Sequence, residues 1–427
     1  MTKRLVLTAA LCAAMLTSCR SARTARVQAA ATEPDTVFTI TLLGDECTFA
    51  DHAVYGFYVP STAEQIRGIM VFQHGCSQEE WGISRNSDVQ YQAFARKWDL
   101  AILETNIFGL CDVWAFPERG SYAAMLLALN KAAFQCNRRE LVSAPWLVWG
   151  HSGGGYWVLE MLHKHPEKLI AAICYSAAWD PRWDYLPVAY DVPILFRHAG
   201  PGEGADGIPA TARHSFADLR AGGSPASIAY TKGQTHNHSY MRTITVPFWE
   251  AALKQRLAPD GSLRPLDPGK TFLGDTVTFQ IFPEAGYEGD KSALCRLPDE
   301  ASARAWSQFA SEGRCTDTTP PDAPFLIKVK ADGEDLIVTW RAEADLESGI
   351  GNFNIYKDGA LAGRVPESGL YQTFDVNGDN AIPATPAPME FRLPGAASQR
   401  AAIQVETVNR DGLASPKVEF LYQPYIL

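Results

Sequence analysis

Six consecutive residues, Gly150-His151-Ser152-Gly153-Gly154-Gly155, constrain this chain more than any other stretch. The apolar run Trp146-Leu147-Val148-Trp149 before them reads as a buried strand, and Tyr156, Val158, Leu159, Met161 and Leu162 after them fall at helical spacing. A strand that turns sharply into a helix leaves its turn residue little steric freedom. Side chains at positions 150 and 154 would meet the neighbouring strand and helix, so glycine is required there. The serine at the apex stands on a strained turn, and the helix N-terminus aims backbone N–H groups at any negative charge that develops beside it. Gly-x-Ser-x-Gly in this setting predicts a nucleophilic Ser152.

At 427 residues the chain exceeds one ordinary domain, and two are expected. A formal net charge of -10 offers no basic patch to neutralise phosphates, which argues against a nucleic-acid partner. Residues 1–19 read as a targeting segment: Lys3 and Arg4 precede an apolar run over residues 5–16 that is too short for a membrane helix. The segment ends in Leu16-Thr17-Ser18-Cys19, which resembles a bacterial lipobox, where the cysteine is acylated and becomes the first mature residue. That implies an exported protein, lipid-anchored at Cys19 in the bacterial cell envelope, whose membrane contact is that anchor. The alternative is an ordinary signal peptide and a periplasmic or secreted product. Beyond this segment no apolar stretch is long enough to span a bilayer. Residues 20–35 read as a polar tether.

With Cys12 and Cys19 set aside, seven cysteines remain: Cys47, Cys76, Cys111, Cys136, Cys174, Cys295 and Cys315. Export would place them in an oxidising compartment, where some are expected to pair and an odd number leaves at least one free. Cys174, in an apolar run, is the expected buried thiol. Cys295 and Cys315 flank one polar segment and are a candidate pair.

Residues 36–256 alternate strand and helix patterns. Besides the run before Ser152, strands are expected over residues 37–42, 53–59, 68–73, 101–106, 169–175, 193–197 and 226–230. Helices are expected after Ser152 and over residues 122–134, 211–221 and 240–256. Such alternation implies right-handed crossovers and a mostly parallel sheet with flanking helices, an α/β fold. Residues 257–319 carry frequent Gly and Pro with one helix signal near 299–309, and read as an extension or linker of that domain. Residues 320–427 turn all-β. Leu336-Ile337-Val338-Thr339-Trp340, Phe353-Asn354-Ile355-Tyr356-Lys357 and Ile403-Gln404-Val405-Glu406-Thr407-Val408 alternate with a period of two, separated by turns such as Lys357-Asp358-Gly359 and Arg410-Asp411-Gly412. The opening prolines, the early Trp340, Ser348-Gly349-Ile350 and Asn409-x-x-Gly412 resemble a fibronectin type III sandwich, with Ile403 where a tyrosine is usual. That resemblance implies a spacing or presenting unit without chemistry of its own.

The domain over residues 36–256 resembles the α/β-hydrolase family. It is most similar to the secreted esterase, polyhydroxybutyrate-depolymerase-like and feruloyl-esterase-like branches, which share a His-Gly-Cys segment after the third strand, here His74-Gly75-Cys76. The resemblance implies the chain order serine, acid, histidine. A serine hydroxyl needs a base, and the base needs an orienting acid. Six histidines follow Ser152. His163 and His165 close the elbow helix, His198 ends a strand and His214 falls in a surface helix, which leaves Thr235-His236-Asn237-His238 after the last strand. His236 is preferred to His238 as base, because relatives place an arginine at the opening of the last helix and Arg242 sets that register. The acid belongs after the strand at residues 193–197. Glu203 is the choice, with Asp206, in Asp206-Gly207-Ile208-Pro209, and then Asp180 as competitors. The implied oxyanion donors are the backbone N–H groups of Gly153 and Cys76, and Cys111 is a candidate disulfide partner for Cys76. A His236–His238 metal pair lacks a third ligand, and no metal or cofactor is implied. Trp81, Trp114, Phe116, Trp179 and Trp183 are candidates to line an acyl or sugar-binding cleft. The implied activity is that of a serine carboxylic-ester hydrolase acting on a small or polysaccharide-linked ester. Its alternatives are a serine peptidase of the same fold and a degenerate surface binding module.

Overall fold

In a computed structural model describing residues 34–76, 88–179, 183–203, 207–236, 240–372 and 386–424, the first strands are β1 (Thr36–Leu43), β2 (His52–Val59), β3 (Gly68–Gln73) and β4 (Leu100–Phe108). They are followed by β5 (Trp146–His151), β6 (Leu169–Tyr175), β7 (Ile194–His198) and β8 (Ala226–Tyr230). Together they form one sheet in the order β1-β2-β4-β3-β5-β6-β7-β8. β2 runs antiparallel to β1 and β4; from β4 onward every pairing is parallel. Parallel strands covered on both faces must be apolar throughout, and β3, β5 and β6 are buried at every residue. The order reverses between β3 and β5, and such a reversal opens a crevice at the carboxyl ends of the strands. Ser152 follows β5 into that crevice. The predicted targeting segment with Cys19, most of the tether, and Trp81, Asp180, Asp206 and His238 lie outside the described residues.

The flanking helices are α1 (Val89–Trp98), α2 (Ser121–Gln135), α3 (Gly153–Lys164), α4 (Gly207–Ala221) and α5 (Arg242–Arg256). α1 was not expected. Its signals are short: Asp88 caps it by accepting from the N–H groups of Gln90 and Tyr91, both at 3.0 Å, and Asp99 ends it at φ 56° where a glycine is usual.

Residues after α5 form a second layer against the β8 edge. Strands β9 (Phe272–Gly274), β10 (Ile281–Pro283) and β11 (Cys295–Leu297) make a sheet in the order β10-β9-β11, followed by α6 (Glu300–Glu312). Trp306 Nε1 donates to the Ile228 carbonyl of β8 at 2.8 Å, and the Arg220 guanidinium donates to the carbonyls of Leu294 and Lys291 at 2.7 and 2.6 Å. An edge strand covered in this way cannot pair with another chain. Cys295 and Cys315 do not pair, contrary to expectation. Cys295 is fully buried and accepts the Ile228 N–H at 3.2 Å, while the Cys315 thiol faces the Ala305 carbonyl at 3.2 Å. Apolar packing, and not loop closure, fixes both. Cys174 is a free buried thiol, and burial pushes its pKa up.

The C-terminal unit is a β-sandwich. β12 (Phe325–Asp332), β13 (Asp335–Arg341) and β16 (Glu390–Leu393) form one sheet; β15 (Ala360–Val365), β14 (Ile350–Lys357), β17 (Ala401–Asn409) and β18 (Val418–Tyr422) form the other. The period-two residues Leu336, Val338, Trp340, Phe353, Ile355, Ile403 and Val405 fill the space between them.

Candidate active site

Ser152 has φ 58° and ψ -118°, a left-handed backbone that costs a non-glycine residue about 1–3 kcal/mol. Three backbone hydrogen bonds hold it there. Its N–H donates to the Tyr175 carbonyl at 2.9 Å, and its carbonyl accepts from Tyr156 and Ala178, both at 3.1 Å. The glycines have the predicted steric cause: a Cβ at Gly150 would lie 2.0 Å from the Gly154 oxygen, and one at Gly154 would lie 2.3 Å from the Gln73 oxygen. α3 therefore starts directly across the end of β3.

The loop after β3 comes to the same point. A Cβ at Gly75 would be 3.3 Å from Ser152 Cβ, and one at Gly153 would meet the sulfurs of Cys76 and Cys111 at 2.3 and 2.4 Å. Cys76 and Cys111 are joined in a disulfide. It rests on the first residue of α3 and ties the loop to the segment after β4. His74 fixes the other side of the loop. Its Nε2 accepts the Ile107 N–H at 2.9 Å, so the ring proton sits on Nδ1, 2.5 Å from the Gly75 carbonyl. The Trp114 ring packs at a tilt against His74, with ring centroids 4.7 Å apart. It is 0 % exposed, so it packs the loop and lines no cleft, which corrects the expectation for this residue.

Glu203 ends a short 3-10 turn (Gly200–Glu203) after β7, and its side chain is completely buried. Its Oε1 accepts from Arg197 Nη1 at 2.6 Å and from the Ser176 hydroxyl, and its Oε2 accepts the Ala199 N–H at 2.7 Å. Burial alone would raise the carboxyl pKa. The neighbouring His236 and Arg197, with the Ser176 and Ala199 donors, outweigh it and hold Glu203 below its ordinary value. His236 follows β8. Its Nδ1 lies 3.6 Å from Glu203 Oε1, an ion-pair approach longer than a hydrogen bond, and its side chain keeps 37 % of its exposure. A long contact of this kind is usual before substrate arrives. A Cβ at Gly202 would sit 1.9 Å from the Gln234 oxygen, so the acid turn and the histidine loop touch backbone to backbone. His198 is disqualified as a base: burial and then Arg213 hold its pKa down at about 4, and its Nδ1 accepts the Gly200 N–H.

Three contributors were not read from the sequence. His151, the variable residue of the elbow, is buried and its Nε2 donates to the His236 carbonyl at 2.8 Å. Ser176 bonds the acid from the end of β6, and Arg197 does so from the end of β7. Only the polar character of Arg197 inside an apolar strand signalled it. Phe116, Tyr156, Trp179 and Trp183 form one ring cluster, with Phe116 to Tyr156 at 5.0 Å and Tyr156 to Trp179 and Trp183 at 5.1 and 5.8 Å. Among the described residues one carboxylate group has metal-like spacing, Asp317, Asp345 and Glu347, with ligand atoms within 4.8 Å of one another. It lies at the entrance to the sandwich, and its oxygens already accept bonds from Ser348, Asn409 and Thr319.

No protein-family model and no curated protein matches the sequence. Solved structures do. Poly(aspartic acid) hydrolase-1 from Sphingomonas sp. KT-1 is 13 % identical over 47 % of this chain and 93 % of that one, with a TM-score of 0.36. A ferulic acid esterase is 14 % identical over 47 % and 90 %, with a TM-score of 0.36. LpqC, a poly(3-hydroxybutyrate) depolymerase from Bordetella parapertussis, is 15 % identical over 56 % and 94 %, with a TM-score of 0.34. The fold is assigned from the chain itself: the strand order, the strained serine between β5 and α3, and the acid and histidine after β7 and β8 give residues 36–256 the α/β-hydrolase fold.

Proposed function

We propose that the protein is an exported serine carboxylic-ester hydrolase. The observation that carries the reading is a left-handed Ser152 together with His236 paired to a buried Glu203, in the chain order this fold requires. In the mechanism His236, held through Nδ1 by Glu203, takes the Ser152 hydroxyl proton on Nε2 as Oγ attacks the ester carbonyl. The negative oxygen forms between the N–H groups of Gly153 and Cys76. Collapse expels the alcohol, which leaves with the proton from His236. Water then attacks the acyl-enzyme by the same route and frees the acid and Ser152. The Phe116–Tyr156–Trp179–Trp183 cluster adjoins Ser152 through the Tyr156 and Ala178 backbone bonds, which supports its assignment as a wall of the acyl cleft. The pairing of three and four sandwich strands supports a fibronectin type III-like unit. Acylation at Cys19 is part of the proposal and is tested by lipid labelling of wild type against Cys19→Ala.

The deciding experiment measures p-nitrophenyl acetate hydrolysis and fluorophosphonate labelling in wild type and Ser152→Ala. Loss of both in the variant is expected. Undiminished hydrolysis by Ser152→Ala would discard the mechanism, and an unlabelled, inert wild type would favour a binding module.

A further inference from the structure

Arg197 is the penultimate residue of β7, is 0 % exposed, and takes no part in the mechanism above. Its guanidinium is a hub. Nη1 donates to Glu203 Oε1 at 2.6 Å and to Ser176 Oγ at 2.8 Å; Nη2 donates to the Thr235 carbonyl at 2.7 Å and approaches Gln234 Oε1 at 3.4 Å. One planar group therefore joins the acid, the residue after β6, and the backbone immediately before His236. We propose that Arg197 is a positioning residue for the hydrolytic reaction, holding the acid and the histidine loop at one fixed separation. The inference rests on Ser152, His236 and Glu203 acting as proposed above.

The role follows from the fork. A guanidinium presents paired donors in a rigid plane, so it grips Glu203 on one nitrogen and Thr235 on the other; a lysine ammonium has no second arm to span them. Glu203 Oε1 is both the oxygen bound by Nη1 and the oxygen 3.6 Å from His236 Nδ1. A cation on that oxygen helps keep the carboxylate ionised. Other titratable groups nearby do not replace it. His151 is turned to the His236 carbonyl, the Tyr175 hydroxyl is bonded to Thr245, and His198 is buried and uncharged. Among the described residues the ion pairs to Glu203 come from Arg197 and His236.

The test compares wild type, Ser152→Ala, Arg197→Met and Arg197→Lys on p-nitrophenyl acetate, with sites counted by fluorophosphonate labelling carried to completion. Arg197→Met is expected to lose about 10²-fold in kcat per labelled site with KM held within about twofold, since loosened catalytic geometry costs that much. Arg197→Lys should lose kcat as well, because the charge remains and the bridge does not. A wild-type kcat per site in either variant would overturn the positioning role. Should the Met variant not fold, the Lys variant carries the test. Equal hydrolysis by wild type and Ser152→Ala would instead discard the underlying serine mechanism, an outcome independent of the Arg197 variants.

Discussion

Arg96 of α1 grips Glu343 of the sandwich through two parallel hydrogen bonds, Nε to Oε1 at 2.9 Å and Nη2 to Oε2 at 2.8 Å. The third nitrogen of Arg96 donates to Asp35, the residue before β1, and to Tyr58 of β2. Ala93 is buried within the sandwich core, and Gln90 Nε2 donates to the Leu346 carbonyl at 3.0 Å. The sandwich thus braces the helix whose capping residue, Asp88, is itself bound by Arg242 of α5. A unit read from sequence as a spacer is also part of the scaffold. Deleting the residues after 320 is expected to lower the melting temperature of the hydrolase domain and to reduce turnover even of small soluble esters. Glu343→Ala, which leaves Arg96 with Asp35, should cost about 1–2 kcal/mol, read by urea denaturation.

Gly153 and the Cys76–Cys111 disulfide occupy one another's space. A methyl at position 153 would lie within 2.4 Å of both sulfurs. Gly153→Ala is expected to displace the bridge, and with it the Cys76 N–H, lowering kcat by about 10²-fold. In a Cys76→Ala/Cys111→Ala background the same substitution should cost much less, because the obstructing sulfurs are gone. A double-mutant cycle on kcat checks this, with strongly non-additive effects expected. The cysteine pair alone should lose about 3 kcal/mol of stability by urea denaturation, in line with closing a loop of 35 residues.

Sequence signals were sufficient where the cause is local. The elbow was legible because an apolar strand, two sterically required glycines and a helical repeat are contiguous. The loop holding His236 and His238 was reached by elimination along the chain, since the other histidines fall on elements that can be recognised from their own neighbours, and the register implied by the family resemblance preferred His236. Glu203 was harder, because its loop also offers Asp206, and the contacts of Glu203 with Arg197 and His236 exist only in three dimensions. Arg197, Ser176 and His151 act across strands β5, β6 and β7, and no local pattern records a cross-strand partner. The Cys295–Cys315 expectation failed for the same reason: a polar segment between two cysteines suggested a loop, while the partner of Cys295 is the backbone of β8, 67 residues away. The missed α1 is short, and its stop signal is an aspartate in the left-handed region.

The acidic cluster at the sandwich entrance should make stability pH-dependent. Burial and then the charge of Asp317 hold the Asp345 pKa up at about 7; burial and the hydrogen bond to Asp317 do the same for Glu347, also to about 7. Asp317 goes the other way: bonds from Glu347, Ser348 and the Thr319 N–H outweigh its burial and hold it low. For Asp345 and Glu347 the folded state keeps a proton that the unfolded chain releases near pH 4, so their stabilisation is complete below about pH 4 and is lost as pH rises to about 7. Wild type is expected to melt higher at about pH 5 than at about pH 8 on this account, and Asp345→Asn to raise the midpoint at the upper pH by about 2–4 °C while flattening the slope. Thermal melts followed by circular dichroism read both.

Glu203 has two roles that its substitutions should separate. Glu203→Gln keeps the volume and one carbonyl acceptor for Arg197, yet removes the charge that orients His236 and supports its protonated form. Its kcat should fall by about 10²- to 10⁴-fold, with KM close to that of wild type. Glu203→Ala removes every acceptor and leaves the fully buried Arg197 without its counter-charge, which should cost about 3–5 kcal/mol of stability in addition. Pairing Glu203→Ala with Arg197→Met removes both charges together. That double variant should recover most of the lost stability and none of the activity, since the stability cost arises from the unpaired guanidinium and the catalytic cost from the missing acid. Denaturation midpoints and single-turnover rates measured on the same preparations decide it. A double variant as unstable as Glu203→Ala would show that the ion pair is not what the buried end of β7 depends on.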